Sequence, residues 1–136
     1  MTRLRSVVSQ TFLIAAFGAI VAAQDAPPRA PFKAVHLMNL RSAADVAAVQ
    51  AAIDDMNTVV ANAGYREVRY RLYKVTGKQT GEYTYLWESS WPGGDAYEKV
   101  HKSAEWLANS KKHSRLEELS KDSIYNRYVE VPPAKR

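Results

Sequence analysis

The chain has 136 residues, no cysteine and a formal net charge of +5, with 24% charged and 46% hydrophobic residues. This size and balance predict one globular domain that buries its core without disulfides. The basic residues are scattered along the chain, which argues against nucleic acid as a partner.

The N-terminal residues 1–23 have the pattern of a secretory signal peptide. Arg3 and Arg5 precede an uncharged apolar stretch, and Val21 and Ala23 occupy the small-residue positions before a cleavage site. A retained membrane anchor is the alternative, although the stretch lies at the lower limit for spanning a bilayer. We therefore expect an exported protein, periplasmic or secreted, with no membrane contact after cleavage.

The remainder divides into a proline-rich, flexible or polyproline-like lead-in, residues 24–31, a domain, residues 32–131, and a tail, residues 132–136. Phe32–Asn39 is short, apolar and partly alternating, which predicts a first strand. A helix follows, because apolar residues recur at three- and four-residue steps at Val46, Val49, Ile53, Met56 and Val60. Ser42 with Asp45 resembles a capping box, and Gly64 is a natural stop.

Two aromatic and β-branched runs, residues 67–75 and 82–91, flank a turn with two glycines and predict a hairpin. If Val75 pairs with Glu82, Arg69 lies opposite Glu88. One face then carries Arg69, Arg71, Tyr73 and Glu88, and the other carries Val68, Tyr70, Leu72, Tyr83, Tyr85 and Trp87.

The last third predicts a second helix, a further helical piece and a fourth strand. Asp95 and Glu98 form a cap, and the apolar stripe of the second helix is Tyr97, Val100, Ala104 and Leu107. Residues 114–121 are predicted to form the helical piece, with Ser114 and Glu117 as its capping box. Residues 123–131 are predicted to form the fourth strand. The order β-α-β-β-α-(α)-β predicts an α+β, ferredoxin-like fold with a four-stranded antiparallel sheet. Helices cover one face of such a sheet, so a homodimer that packs two sheets together would bury the other.

Six residues carry a resemblance to a known group of proteins. A strand ending near a tryptophan is followed by a helix with small, aromatic, serine and histidine positions, matched here by Trp87, Ala96, Tyr97, Ser103, Trp106 and His113. The stretch from Phe32 to Val131 resembles the dimeric α+β barrel superfamily. That superfamily includes antibiotic-biosynthesis monooxygenase-like, haem-degrading and stress-responsive families, so the resemblance implies a fold and a dimer and leaves the activity open.

The histidines offer the first candidate chemistry. His101, on the second helix, is a candidate general base or haem ligand, or a boundary residue of an amphipathic helix. His36 is expected to be a satisfied strand histidine, with a pocket residue as the alternative. His36, His101 and His113 lack metal-ligand spacing, so no metal site is predicted.

Other candidates follow from the resemblance. The haem-degrading relatives use an asparagine on the first strand, a tryptophan on the helix and a later histidine. Asn39 matches the asparagine, and Val100 or Trp106 corresponds to the tryptophan. Ser110 occupies the position of the histidine, and His113 lies three residues beyond it. This departs from their pattern, although haem binding through His101 or His113 remains a hypothesis. Cofactor-free monooxygenase relatives imply pocket residues matched by Asn39, Arg71, Tyr73 and Trp87.

Charges on the hairpin add a last candidate. Arg69 and Glu88, with Arg71 beside them, would bind a carboxylate or phenol in a cavity, or form a salt bridge at a rim. Three hypotheses result: a dimeric barrel that binds a small aromatic or apolar ligand without a cofactor, a cofactor-independent monooxygenase or isomerase with His101 as base, and a haem-binding barrel.

Overall fold

A computed structural model describes residues 26–77 and 81–135, so the predicted signal peptide and part of the hairpin turn lie outside the described residues. The described elements are, in chain order, β1 (Phe32–Met38), α1 (Ala43–Asn62), β2 (Arg71–Lys74), β3 (Tyr85–Trp91), α2 (Gly94–His101), α3 (Ala104–Lys112), α4 (Ser114–Ser120) and β4 (Ile124–Val129). None of the helices in these ranges is long and apolar enough to cross a membrane.

The strands form one antiparallel sheet in the order β2-β3-β1-β4. Each helical connection therefore joins two strands that are separated by a strand of the other connection, as in the split βαβ arrangement. The predicted ferredoxin-like α+β fold is confirmed.

The predicted register of the hairpin is wrong by two residues. Arg71, not Arg69, is the partner of Glu88, and Tyr73 is the partner of Leu86. The Val75 amide donates to the carbonyl of Thr84 rather than pairing with Glu82, at an N–O distance of 2.8 Å. Because side chains alternate with a period of two, this shift leaves every side chain on its predicted face. Arg69 precedes β2 and is exposed.

The two faces of the sheet differ in their surroundings. Helices cover the face that carries Phe32, Trp87 and Trp91, all buried. The opposite, open face presents three large side chains that are 41–51% exposed: Tyr73, Ile124 and Tyr128. Exposed aromatic and aliphatic side chains on one sheet face are typical of an interaction surface.

The first helix follows its predicted pattern. Ser42 accepts a hydrogen bond from the amide of Asp45 at 3.1 Å, and Gly64, just past the helix end, has a φ of 96° that favours glycine. The carboxylate of Asp45 also binds Arg115 of α4, at 2.7 Å. The apolar stripe of α1 is buried against the sheet at Val49, Ile53, Met56 and Val60.

The predicted second helix is interrupted. Helix α2 begins at Gly94 with Gly93 as a cap that makes no side-chain bond, so the predicted Asp95 cap is wrong. The helix ends at His101, and Ser103 starts α3 by accepting from the Trp106 amide at 3.1 Å. As a result Leu107 is 53% exposed rather than part of a continuous apolar stripe. Helix α4 forms as predicted, but its N-cap is His113 and not Ser114, which was expected to form a capping box with Glu117.

The described part of the lead-in contacts the domain. A Cβ atom added at Gly94 would lie 2.8 Å from the carbonyl oxygen of Pro27 and 2.9 Å from that of Pro28. Because both obstacles are backbone atoms, only glycine allows the lead-in to pass this close to the start of α2.

Candidate functional site

Aromatic and imidazole rings converge between the sheet and the helices α2 and α3. Each ring has a neighbouring ring centroid within 6.2 Å. We call this group the aromatic cluster; its members are His36, Tyr70, Trp87, Trp91, Tyr97, His101, Trp106 and Tyr125. The strands β1, β3 and β4 and two helices contribute to it, so it depends on the complete fold.

His101 is fixed in one tautomer within the aromatic cluster. Its Nδ1 lies 2.8 Å from the carbonyl oxygen of Tyr97, and since a carbonyl only accepts, Nδ1 carries the proton. Its Nε2 therefore accepts from the Tyr70 hydroxyl, at 3.4 Å. The imidazole stacks on the Tyr97 ring with centroids 3.7 Å apart. Both ring nitrogens of His101 are thus engaged in hydrogen bonds inside an aromatic environment.

Both histidines of the cluster are held neutral. Burial lowers the pKa of His101 to about 4, partly opposed by its bond to the Tyr97 carbonyl. Burial, with a smaller contribution from His101, lowers the pKa of His36 to about 3. Burial also raises the pKa of Tyr70 and of Tyr97. At neutral pH the cluster therefore contains uncharged donors and acceptors.

His36 and Trp87 form a stacked pair with unused hydrogen-bonding atoms. Their rings are 4.1 Å apart and nearly parallel, at 14°. The Nδ1 of His36 and the Nε1 of Trp87 are buried and have no hydrogen-bond partner in the described part of the chain. The expectation that His36 is a satisfied strand histidine is therefore wrong. Buried polar atoms are nearly always paired, so two orphans on one stacked pair require an explanation.

Side chains outside the cluster set the positions of its members. Asn57 of α1 binds the Tyr70 backbone twice, accepting from its amide at 2.7 Å and donating to its carbonyl at 3.1 Å. Because β2 begins only at Arg71, Tyr70 has no strand pairing for its backbone, and the two hydrogen bonds to Asn57 take its place. Ser89 accepts from the Trp91 indole at 2.8 Å.

Comparison with known proteins bears on the fold. No protein-family model and no curated protein sequence matches the chain. A DABB family protein with a ferredoxin-like fold from Mesorhizobium loti aligns with 75% of this chain and 98% of its own, at 12% identity and a TM-score of 0.53.

Two further solved structures are similar. A dimeric ferredoxin-like protein of unknown function from Thermobifida fusca covers 73% of this chain and 90% of its own, at 13% identity and a TM-score of 0.50. A candidate antibiotic biosynthesis monooxygenase from Caulobacter crescentus covers 78% and 94%, at 15% identity and a TM-score of 0.53. The chain shares the ferredoxin-like α+β fold of these structures. Identities this low show the fold and carry no activity with them.

The predicted ligand-binding residues do not converge on one site. Trp87 belongs to the aromatic cluster, whereas Arg71, Tyr73 and Glu88 lie on the open face. Asn39 follows β1 and accepts from the amide and hydroxyl of Thr84, at 3.1 and 3.2 Å.

Glu88 forms a polar group of its own on the open face. It binds the Lys33 ammonium at 2.9 Å and accepts from the Tyr73 hydroxyl at 3.3 Å, and Arg71 is its cross-strand neighbour. The predicted partner Arg69 instead lines an open groove of about 380 Å³ along α1, beside Asp54 and Asn62. The groove is separate from the aromatic cluster, apart from Asn57, which borders both.

The positions considered for haem are scattered. Val100 is buried in the core, whereas Trp106 lies 4.1 Å from His101, ring to ring. The Ser110 hydroxyl bonds the Trp106 carbonyl, and His113 binds Asp55 of α1 at 2.7 Å. Within the described residues, no group of three or more histidine, aspartate or glutamate side chains could hold a metal ion.

Some members of the aromatic cluster were not expected from the sequence. Trp91 and Tyr125 were placed only within their strands, Tyr70 only on one face of the hairpin, and His36 was expected to be a satisfied strand histidine, with a pocket residue as the alternative. Arg127, which lies beside the cluster, was not considered. Alternation in β1 was the available signal, because it places His36 on the same face as Phe32 and Ala34, which are buried.

Proposed function

We propose that this protein is a homodimeric α+β barrel protein that binds a small aromatic or apolar ligand in the aromatic cluster. The observation that carries the proposal is the pair of orphan atoms, His36 Nδ1 and Trp87 Nε1. Leaving a buried donor or acceptor unpaired costs about 1–3 kcal/mol, so a purely structural core would gain by replacing it. A ligand that offers an oxygen to the Trp87 indole would remove that cost.

Flat, polarizable walls support an aromatic ligand. Apolar pockets with a few placed polar groups are the usual form of small-molecule sites. In this site the rings would form the apolar surroundings of the ligand, the Trp87 indole would donate a hydrogen bond and the His36 Nδ1 would accept one. The ligand therefore combines a ring with at least one oxygen.

The state of His101 favours binding over base catalysis. A general base works best when its pKa lies near the working pH, and the pKa of His101 is about 4. Such an imidazole accepts a hydrogen bond well and takes up a proton poorly. The monooxygenase or isomerase hypothesis, with His101 as base, would need a bound substrate that raises this pKa by about 2–3 units.

Dimerisation and export are parts of the same proposal. The exposed Tyr73, Ile124 and Tyr128 supply the surface that a second sheet would cover, and a structure of similar fold is dimeric. Light scattering should give twice the mass of the processed chain, and Tyr128→Glu should give the monomer. N-terminal sequencing of the exported protein tests cleavage after Ala23.

Ligand binding is testable because all three tryptophans of the chain belong to the aromatic cluster. We expect p-cresol to shift the indole N–H resonance of Trp87 downfield, as that proton gains an acceptor. Toluene, which lacks the oxygen, is the matched ligand and should perturb the rings without this shift. Trp87→Phe assigns the resonance.

The outcome that contradicts the proposal is equally clear. If neither compound perturbs any of the three indole resonances at millimolar concentration, the aromatic cluster is a core and not a site. If p-cresol perturbs only Trp106, the ligand binds outside the His36–Trp87 pair.

A further inference from the structure

Helices α3 and α4 lie over one side of the aromatic cluster, but neither helix has a fully buried residue. Trp106 is the member of the cluster that α3 contributes, and its ring centroid lies 4.1 Å from that of His101 and 5.8 Å from that of Tyr70. Leu116 and Leu119 of α4 are partly buried against the core. We call residues 104–120 the cover, because they shield this side of the cluster from solvent.

Asp55, in the middle of α1, holds the junction of α3 and α4. Its carboxylate binds the Lys112 ammonium at 2.6 Å and the Nε2 of His113 at 2.7 Å. Hydrogen bonds from Lys112 and His113 lower the pKa of Asp55, so the carboxylate is charged at neutral pH. Because the Asp55 side chain is 37% exposed, water can replace both partners when the junction moves away from α1.

Two further polar contacts join the cover to α1. Arg115 of α4 donates to the carboxylate of Asp45 at 2.7 Å, near the start of α1. At the other end of α1, the side-chain amide of Asn62 donates to the carboxylate of Glu105, at 2.8 Å. Exposed polar contacts of this kind contribute little stability individually, so the cover is attached less firmly than a helix with a buried apolar stripe.

The connections at both ends allow the cover to move as one body. Ser103, before α3, has an extended conformation with a φ of −70° and a ψ of 148°, so α2 does not continue into α3. At the other end, α4 ends before Lys121, and β4 begins at Ile124. Neither helix takes part in the sheet, so the pairing of β4 with β1 can persist when the cover leaves.

We propose that the cover opens as one unit, releasing its contacts with α1 while α1 and the sheet stay folded. Segments with few buried side chains and exposed hydrogen bonds open at a lower free energy than the whole domain unfolds. Opening removes the Trp106 ring from the aromatic cluster and exposes one side of His101 and Tyr70. This motion goes beyond the proposed function, since it does not depend on any ligand.

Native-state amide hydrogen exchange, measured by NMR on the unmodified protein, tests the opening. After correction for intrinsic rates, the amides inside α3 and α4 should share one opening constant. They should exchange at least about 10-fold faster than the amides of Val49 and Ile53 in α1, which need global unfolding. Equal protection of the cover and of α1 overturns the proposal without recourse to a variant.

Neighbouring aspartates of α1 supply a matched pair of variants. Asp55→Ala removes a contact that exists only in the closed form, so the amides of the cover should exchange about 3–10-fold faster. Asp54→Ala removes the same group at the preceding position, where the carboxylate binds Gln50 within α1. That contact persists in the open form, so Asp54→Ala should leave the exchange of the cover unchanged.

A variant of the core distinguishes local opening from global unfolding. Ile53→Val weakens the part that stays folded, so the amides of α1 should exchange about 2–10-fold faster while those of the cover keep their rates. The same acceleration in α1 and in the cover would show that the cover is released only on global unfolding, and would overturn the proposal. Equal effects of Asp55→Ala and Asp54→Ala would overturn it as well, because the contacts with α1 would then not hold the cover closed.

Discussion

The helix-covered face of the sheet has two halves, which differ in the kind of side chain that they bury. Under α1 lies an aliphatic half, in which Met38, Val49, Ile53 and Val60 are at most 1% exposed. Under α2 and α3 lies the aromatic cluster, where α3 contributes no fully buried residue and two polar atoms remain unpaired. The first half holds the fold together by packing, and the second carries a cost in stability because two buried polar atoms stay unpaired.

Acid should affect the aromatic cluster before the aliphatic half, and this is the largest effect expected. The pKa values of His36 and His101 are about 3 and about 4 in the folded chain, against about 6.5 when unfolded. Below pH 6.5 the unfolded chain therefore binds protons that the folded chain does not. The free energy of unfolding should fall by about 1.4 kcal/mol per pH unit for each histidine, down to about pH 4.

Urea denaturation between about pH 7 and pH 5 measures this slope. His101→Phe should reduce the slope by about half, because one of the two titrating groups is gone. A free energy of unfolding that stays constant over this range would show that the imidazoles are not buried as described.

A cavity in the aliphatic half should be the next largest effect. Ile53 is 1% exposed, so Ile53→Ala should lower the free energy of unfolding by about 2–5 kcal/mol. The matched truncation is Leu107→Ala in α3, where the side chain is 53% exposed and the change should stay within about 0.5 kcal/mol. Similar losses in the two variants would contradict the contrast between the halves.

Replacement of His36 should cost little stability and should weaken the binding of the proposed ligand. Phenylalanine keeps the stack on Trp87 and removes the unpaired Nδ1, so His36→Phe should leave stability unchanged or raise it by up to about 1 kcal/mol. We expect p-cresol binding to weaken in the same variant. His113→Phe is the control, because it breaks the bond to Asp55 and should destabilise the protein. A large loss of stability in His36→Phe would show that the imidazole is structural.

The smallest effect concerns the lead-in at the start of α2. Gly94→Ala places a methyl group against the Pro27 and Pro28 carbonyls, so the lead-in must move away. We expect faster tryptic cleavage after Arg29 and a change in stability below about 1 kcal/mol. Asp95→Ala, at the next and exposed position, is the control and should leave cleavage unchanged.

Sequence patterns predicted the fold better than the site, for identifiable reasons. The stripe of α1 and the two faces of the hairpin depend on local periodicity, which survives a two-residue error in register. The sequence did not predict that the second helix ends at His101, because apolar residues recur at helical spacing on both sides of Ser103. Ser103 was therefore placed inside one continuous helix, whereas in the structure it is the N-cap of α3. His36 and His101 meet only through the tertiary fold, so their shared cluster could not follow from positions 65 residues apart along the chain.

The pairing of β1 has a consequence for how this chain folds. β1 is an interior strand of the sheet, yet its partners are β3 and β4, and Phe32 pairs with Val129. Contacts between such distant segments pay a large loop-closure entropy and slow folding. One edge of β1 can pair as soon as β3 is available, but the other edge stays without a partner until β4, near the end of the given sequence, can join the sheet.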